Sequence, residues 1–139
     1  MKAANSQLDI LLVEDNVEDA EILRLFCCKI MPVPPRWILM HDGDEALPFL
    51  EQQGRYEGTS RPRVIILDIG LPKRSGWEIL AGIRATPVLS SIPVVILAGV
   101  LSKDNDAQRD RLKPALYLTK PTTLTGYQRV AQSIEALLR

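Results

Sequence analysis

Val64–Asp68 reads VIILD, and the chain continues IGLPKRSGWEIL over residues 69–80. Three β-branched residues and a leucine, with no polar interruption, favour an extended strand. A run apolar on both faces belongs inside a parallel sheet covered by helices on each side. The strand ends on a carboxylate, and a loop holding Gly70, Pro72 and Gly76 leads into helical spacing at Trp77, Leu80, Ile83 and Arg84. In an open α/β sheet the carboxyl ends of the strands border the crevice where ligands bind. Asp68 is therefore expected at such a crevice.

The same unit recurs along the chain. Residues 8–13 (LDILLV) end on Glu14-Asp15, and residues 94–97 (VVIL) on Ala98-Gly99. Residues 115–118 (ALYL) lead through Thr119 to Lys120-Pro121, and residues 37–41 (WILMH) form a weaker strand. Asn16 caps a helix whose Ala20, Leu23, Phe26, Cys27 and Ile30 recur at helical spacing, ended by Met31-Pro32 and Pro34-Pro35. Asp42-Gly43-Asp44 turns into a helix carrying Ala46, Leu47 and Leu50, and residues 53–63 read as a loop. Trp77 reads as a surface-flanking residue of its helix, which closes at Thr86-Pro87. A strongly polar helix is expected over 104–112, with Asp104, Asp106, Arg109, Asp110 and Arg111 on a solvated face. Thr122 or Thr123 caps a last helix with an inner stripe of Leu124, Tyr127, Ala131, Ile134 and Leu138. Five βα units in series predict a doubly wound α/β domain with right-handed crossovers.

The 139 residues fit one domain, 1–139, with 1–7 as a flexible lead-in. Seventeen basic and seventeen acidic side chains give zero net charge, so no basic surface argues for nucleic acid. No apolar run is long enough to span a bilayer and no leader pattern opens the chain, which points to no membrane and to the cytoplasm. Cys27 and Cys28 are consecutive helical residues pointing about 100° apart, so no bridge is expected and one thiol faces the core. His41 stands alone, which argues against zinc.

Glu14, Asp15, Asp68 and Lys120 thus share one edge of the expected sheet. An acidic pair after a strand is ordinarily a solvated helix start that favours the helix dipole. Three carboxylates and an ammonium converging from separate strands are harder to obtain by accident. Oxygen ligands of this kind suit Mg²⁺, and a bound cation removes the repulsion between clustered carboxylates. A carboxylate beside that cation is a competent nucleophile toward phosphorus, and Lys120 would counter phosphoryl charge.

Over nearly its whole length the chain resembles the receiver domains of two-component response regulators. The motifs are LLVEDN (11–16), ILDIGLPKRSGWE (66–78), IPVVIL (92–97) and YLTKP (117–121), with Ala98 30 positions and Lys120 52 positions after Asp68. DGDEALPFL, RPRVIILD and SIPVVIL, with the loop before the third strand, are similar to stand-alone receivers that serve bacterial phytochromes. The resemblance implies a five-stranded flavodoxin-like sheet in the order 2-1-3-4-5. It makes Asp68 the phosphoacceptor and Lys120 the phosphate-binding lysine. Glu14, Asp15, Asp68 and the Gly70 carbonyl become the Mg²⁺ site, and the Lys120–Pro121 bond is expected cis. Leu71-Pro72 and Gly76 shape the loop beyond Asp68, where glycine admits unusual backbone angles. A sensor histidine kinase, in this subgroup a bacterial phytochrome, becomes the expected donor, with a downstream protein as target and a homodimer as a further partner.

One position departs from the pattern. Receivers carry Thr or Ser where this chain has Ala98, and that hydroxyl bonds a phosphoryl oxygen while an aromatic at the Tyr117 position changes rotamer. Losing a hydrogen bond to a charged group costs about 1.5–3 kcal/mol, comparable with a two-state bias. Either phosphate is still held, by the Gly99 amide and Lys120, or the chain is a docking receiver insensitive to phosphate. Val100 at the mouth is expected to hinder water and slow phosphate loss. An aspartyl-phosphate phosphohydrolase is the weaker alternative, because such enzymes want a carboxylate where Gly70 stands. The expected role is a relay rather than a turnover enzyme.

Overall fold

A computed structural model describes residues 8–139; the expected lead-in over 1–7 lies outside the described residues. β1 (Asp9–Val13), β2 (Arg36–Met40), β3 (Val64–Asp68), β4 (Val94–Ala98) and β5 (Leu116–Thr119) form one sheet in the order β2-β1-β3-β4-β5. All four pairings are parallel. Between the strands run α1 (Val17–Ile30), α2 (Ala46–Leu50), α3 (Gly76–Ala85) and α4 (Lys103–Leu112), and α5 (Leu124–Leu138) follows β5.

Side chains alternate across each strand, so the sheet divides the interior in two. Ile65, Leu67, Val94 and Ile96 pack with Phe49, Leu50, Ile79, Leu80 and Ile83 on one face. Ile10, Leu12, Val64, Ile66, Val95 and Leu97 pack with Leu23, Cys27, Tyr127 and Ile134 on the other. β3 and β4 are buried along their full length, as their unbroken apolar runs require. β2 is an edge strand and more exposed, and Arg36 ties it to β1 through two hydrogen bonds to Asp9, at 3.0 and 2.7 Å.

Local signals fix the helix starts. Asn16 accepts from the Asp19 N–H, and Ser75 and Glu78 form a reciprocal capping box on α3. Ser102 caps α4, and of the two candidates for α5 it is Thr123 that caps. α4 buries only Leu112 and ends on Lys113 in the left-handed region, φ 49°. Arg84 of α3 covers that end, donating to the Leu112 and Lys113 carbonyls at 3.0 Å each.

Several sequence expectations are corrected. Trp77 is buried rather than surface-flanking: its Nε1 donates to Asn105 Oδ1 at 2.9 Å and its ring lies 5.8 Å from that of Tyr117. The polar helix α4 covers it, so a residue at the margin of the apolar stripe becomes core. Loop 53–63 holds a 3-10 turn, Gly54–Tyr56, pinned by the Tyr56 ring edge-on to Phe49. No peptide bond among the described residues is cis, so Lys120–Pro121 is trans. Lys120 is aimed instead by the register of β5, its N–H donating to the Ala98 carbonyl at 2.8 Å. Cys27 is buried, Cys28 is partly exposed, and both are free thiols. No helix among the described residues is long and apolar enough to cross a membrane.

Candidate functional site

Register places the charged strand ends together. Val13 pairs with Leu67 and Asp68 with Leu97, so Glu14 and Asp68 emerge side by side beside the end of β4. Glu14 is 3% and Asp68 5% exposed, which is rare for carboxylates unless they are paired. Lys120 supplies the pairing, with Nζ 2.8 Å from Asp68 Oδ2 and 3.0 Å from Glu14 Oε2. Glu14, Asp15 and Asp68 each offer an oxygen, all within 4.8 Å of one another, with Asp15 exposed at the mouth. The four charged residues expected to converge do so.

Burial pushes the Glu14 carboxyl up to about 7, against the hydrogen bonds from Lys120 and the Asn16 N–H; the neighbouring Asp68 charge pushes the same way as burial. Lys120 moves the other way in charge preference. Burial pulls its ammonium down, but hydrogen bonds to Asp68 and Glu14 outweigh that and hold it above the usual lysine value. The two shifts are consistent because Lys120 collects several carboxylates while Glu14 has only a share of one ammonium.

Gly70 is exposed, and its N–H donates to Asp68 Oδ1 at 2.9 Å, orienting the carboxylate. Gly76 is needed for space rather than for unusual angles, which corrects the sequence reading. A Cβ there would lie 2.9 Å from the Asp68 carbonyl and 3.0 Å from Ile69 Cα. Ala98 is fully buried at the end of β4, and Gly99 is exposed on the rim of an open hollow of about 400 Å³ that Lys120 also lines. Val100 is 70% exposed. Tyr117 is half-buried between Trp77 and the Arg109 guanidinium, which lies 5.4 Å from its ring.

The structure adds groups that sequence reasoning did not assign to the site. Asp19 Oδ2 is 3.1 Å from Lys120 Nζ, and the buried Tyr127 hydroxyl donates to Asp19 Oδ1 at 3.3 Å. His41 Nδ1 lies 2.7 Å from the Glu14 carbonyl, which can only accept, so that nitrogen carries the proton. Asn105 joins Trp77 to the loop after β4, its Nδ2 donating to the Val100 carbonyl at 2.9 Å. The pairing of Asp19 with Tyr127 spans 108 positions, so no local signal could have revealed it.

A parallel sheet in this order, with three carboxylates and a lysine at its carboxyl edge, defines a response regulator receiver. The chain belongs to that family. It is 39% identical over 127 residues to the response regulator Rcp1 of Synechocystis sp., covering 91% of this chain and 86% of that one. Its backbone matches the phosphorylated cyanobacterial phytochrome response regulator RcpA with a TM-score of 0.88 and 35% identity, over 95% of this chain and 94% of that one. The Mn²⁺-bound form of Rcp1 matches with a TM-score of 0.85 and 37% identity, over 94% of each chain. Of these relatives, RcpA is a phytochrome response regulator. No protein-family model matches the chain.

Proposed function

We propose that this receiver accepts a phosphoryl group on Asp68 from the phosphohistidine of a sensor kinase and signals through protein contact. The observation that carries the reading is the buried Asp68 carboxylate facing Lys120 beside Glu14 and Asp15. Three carboxylate oxygens within 4.8 Å fit a hard divalent cation such as Mg²⁺, with the Gly70 carbonyl as a further ligand. When bound, the cation neutralises charge on the transferring group. Asp68 Oδ attacks phosphorus, the P–N bond breaks, and the imidazole nitrogen leaves with the electron pair and takes up a proton. Gly70 N–H fixes the attacking carboxylate through its other oxygen, Oδ1. Lys120 then binds a phosphoryl oxygen as a point cation. A phytochrome is the kinase class that the structural relatives favour. The protein is a relay, turning over nothing, that operates in the cytoplasm; a second copy of the chain is a further partner.

Ala98 shapes the output. A methyl group accepts and donates nothing, so the phosphoryl group lacks one hydrogen bond worth about 1.5–3 kcal/mol, and the Gly99 N–H and Lys120 remain to hold it. The same observation favours a second reading, a docking receiver insensitive to phosphate. Incubation with Mg²⁺ and acetyl phosphate, followed by intact-mass measurement, tests the chemistry. A one-phosphoryl mass gain, absent in Asp68→Asn, is expected, and its absence in the unmodified protein overturns the proposal. Partner binding measured with and without phosphate, in the protein and in Ala98→Thr, separates the two readings. Phosphate that alters binding in neither form leaves only the docking receiver.

A further inference from the structure

We infer that Asp19 is a positioning residue for Lys120 and that the Tyr127 hydroxyl fixes Asp19 in that role; this rests on the phosphoryl-acceptor reading. Asp19 stands in the first turn of α1 and Tyr127 in the first turn of α5. One Asp19 oxygen meets Lys120 Nζ at 3.1 Å, and the other accepts from Tyr127 at 3.3 Å. Both oxygens are engaged, so the carboxylate is pinned across two helices. The anchor itself is firm: Tyr127 is 6% exposed, and its ring stacks on Phe26 at 6.3 Å.

An acidic residue in a first helical turn ordinarily serves the helix dipole. Here it also meets a lysine from the far end of the sheet, and a buried phenol spends its only donor on it. The three carboxylates around the ammonium are not equivalent. Glu14 and Asp68 belong to the group of oxygens able to share a cation, whereas Asp19 stands outside it. Once Glu14 and Asp68 are engaged by a cation or a phosphoryl group, Asp19 is the partner Lys120 keeps. Lysine is a compact charge on a flexible stem. Without Asp19 it either closes fully on Asp68, masking the nucleophile, or leaves the mouth. The arrangement also ties α1 and α5 to the ammonium by a route that does not pass through residue 98.

The test is a double-mutant cycle on the full chain with acetyl phosphate and Mg²⁺, read by intact mass at several donor concentrations. Asp19→Asn is expected to lower the maximal phosphorylation rate about tenfold while the half-saturating donor concentration stays within about twofold. Tyr127→Phe follows in the same direction at about threefold, and adding Asp19→Asn to Lys120→Met changes the rate less than about twofold. Mg²⁺ affinity by calorimetry without donor gives a second cycle. With Lys120 present, Asp19→Asn weakens Mg²⁺ about threefold, because the ammonium then competes fully for Glu14 and Asp68; without Lys120 the change is under about twofold. An unchanged rate in Asp19→Asn, or equal losses with and without Lys120, overturns the inference while the acceptor reading stands. No mass gain in the unmodified protein overturns both.

Discussion

Glu14→Gln is expected to stabilise the cation-free protein and to do so only at high pH. Glu14 is 3% exposed, and burial raises its carboxyl from an ordinary 4.5 to about 7. The folded protein therefore keeps a proton on Glu14 that the unfolded chain releases near 4.5, and stability falls as pH rises through that window, levelling above it. The gap between 4.5 and about 7 corresponds to about 3 kcal/mol above pH 7, and to under about 1 kcal/mol at pH 5. Glutamine copies the protonated carboxyl, and its oxygen can still accept from Lys120 Nζ and the Asn16 N–H, which both reach Oε2 in the native site. Urea unfolding in EDTA at pH 8 and pH 5 reads the difference directly. Mg²⁺ should then reverse the order: a ligand at about a hundred times its Kd adds about 2.7 kcal/mol to the protein that binds it, and the variant has lost one of three carboxylates. A variant less stable than the parent at pH 8 in EDTA, or a stability gap equal at both pH values, refutes the reasoning.

Three further outcomes follow from packing. Gly76→Ala forces a methyl against the backbone of Asp68 and Ile69, so stability should drop by about 2 kcal/mol and phosphorylation of Asp68 should slow, read by chemical unfolding and intact mass. Asn105→Ala leaves the buried Trp77 indole N–H without its acceptor and frees the Val100 carbonyl; a loss of about 1–3 kcal/mol and a change in tryptophan emission are expected. Lys113→Gly relieves the left-handed residue that ends α4 and should add about 0.5–1 kcal/mol, seen as a rise in thermal midpoint.

The architecture was readable where one signal dominated. Residues 64–67 and Val94–Ala98 are unbroken apolar runs whose order in a βα series leaves little choice of partner, so the sequence alone puts their ends, and Asp68 with them, on one edge. Asn16 and the Thr122-Thr123 pair announce helix starts by the chemistry of their side chains, and the structure selects Thr123 from the pair. What escaped depends on neighbours from distant sequence. Helical spacing put Trp77 at the margin of a stripe but could not say that Asn105 of α4 would cover it. Asp19 carries no signal of its own in the sequence and Tyr127 reads as one more member of an apolar stripe, because their meeting is a product of how α1 and α5 pack. The sequence marks Gly76 as a loop residue but not why glycine is needed: steric room is a property of what lies opposite, which composition does not record.

Ala98 closes β4 with no exposed surface, opposite Thr119 in the ladder, and its carbonyl receives the Lys120 N–H whatever its side chain. The ladder at that point uses only main-chain atoms, so the strand pairing does not depend on the side chain that residue 98 carries. The main chain that aims Lys120 therefore makes no demand on which side chain stands at residue 98.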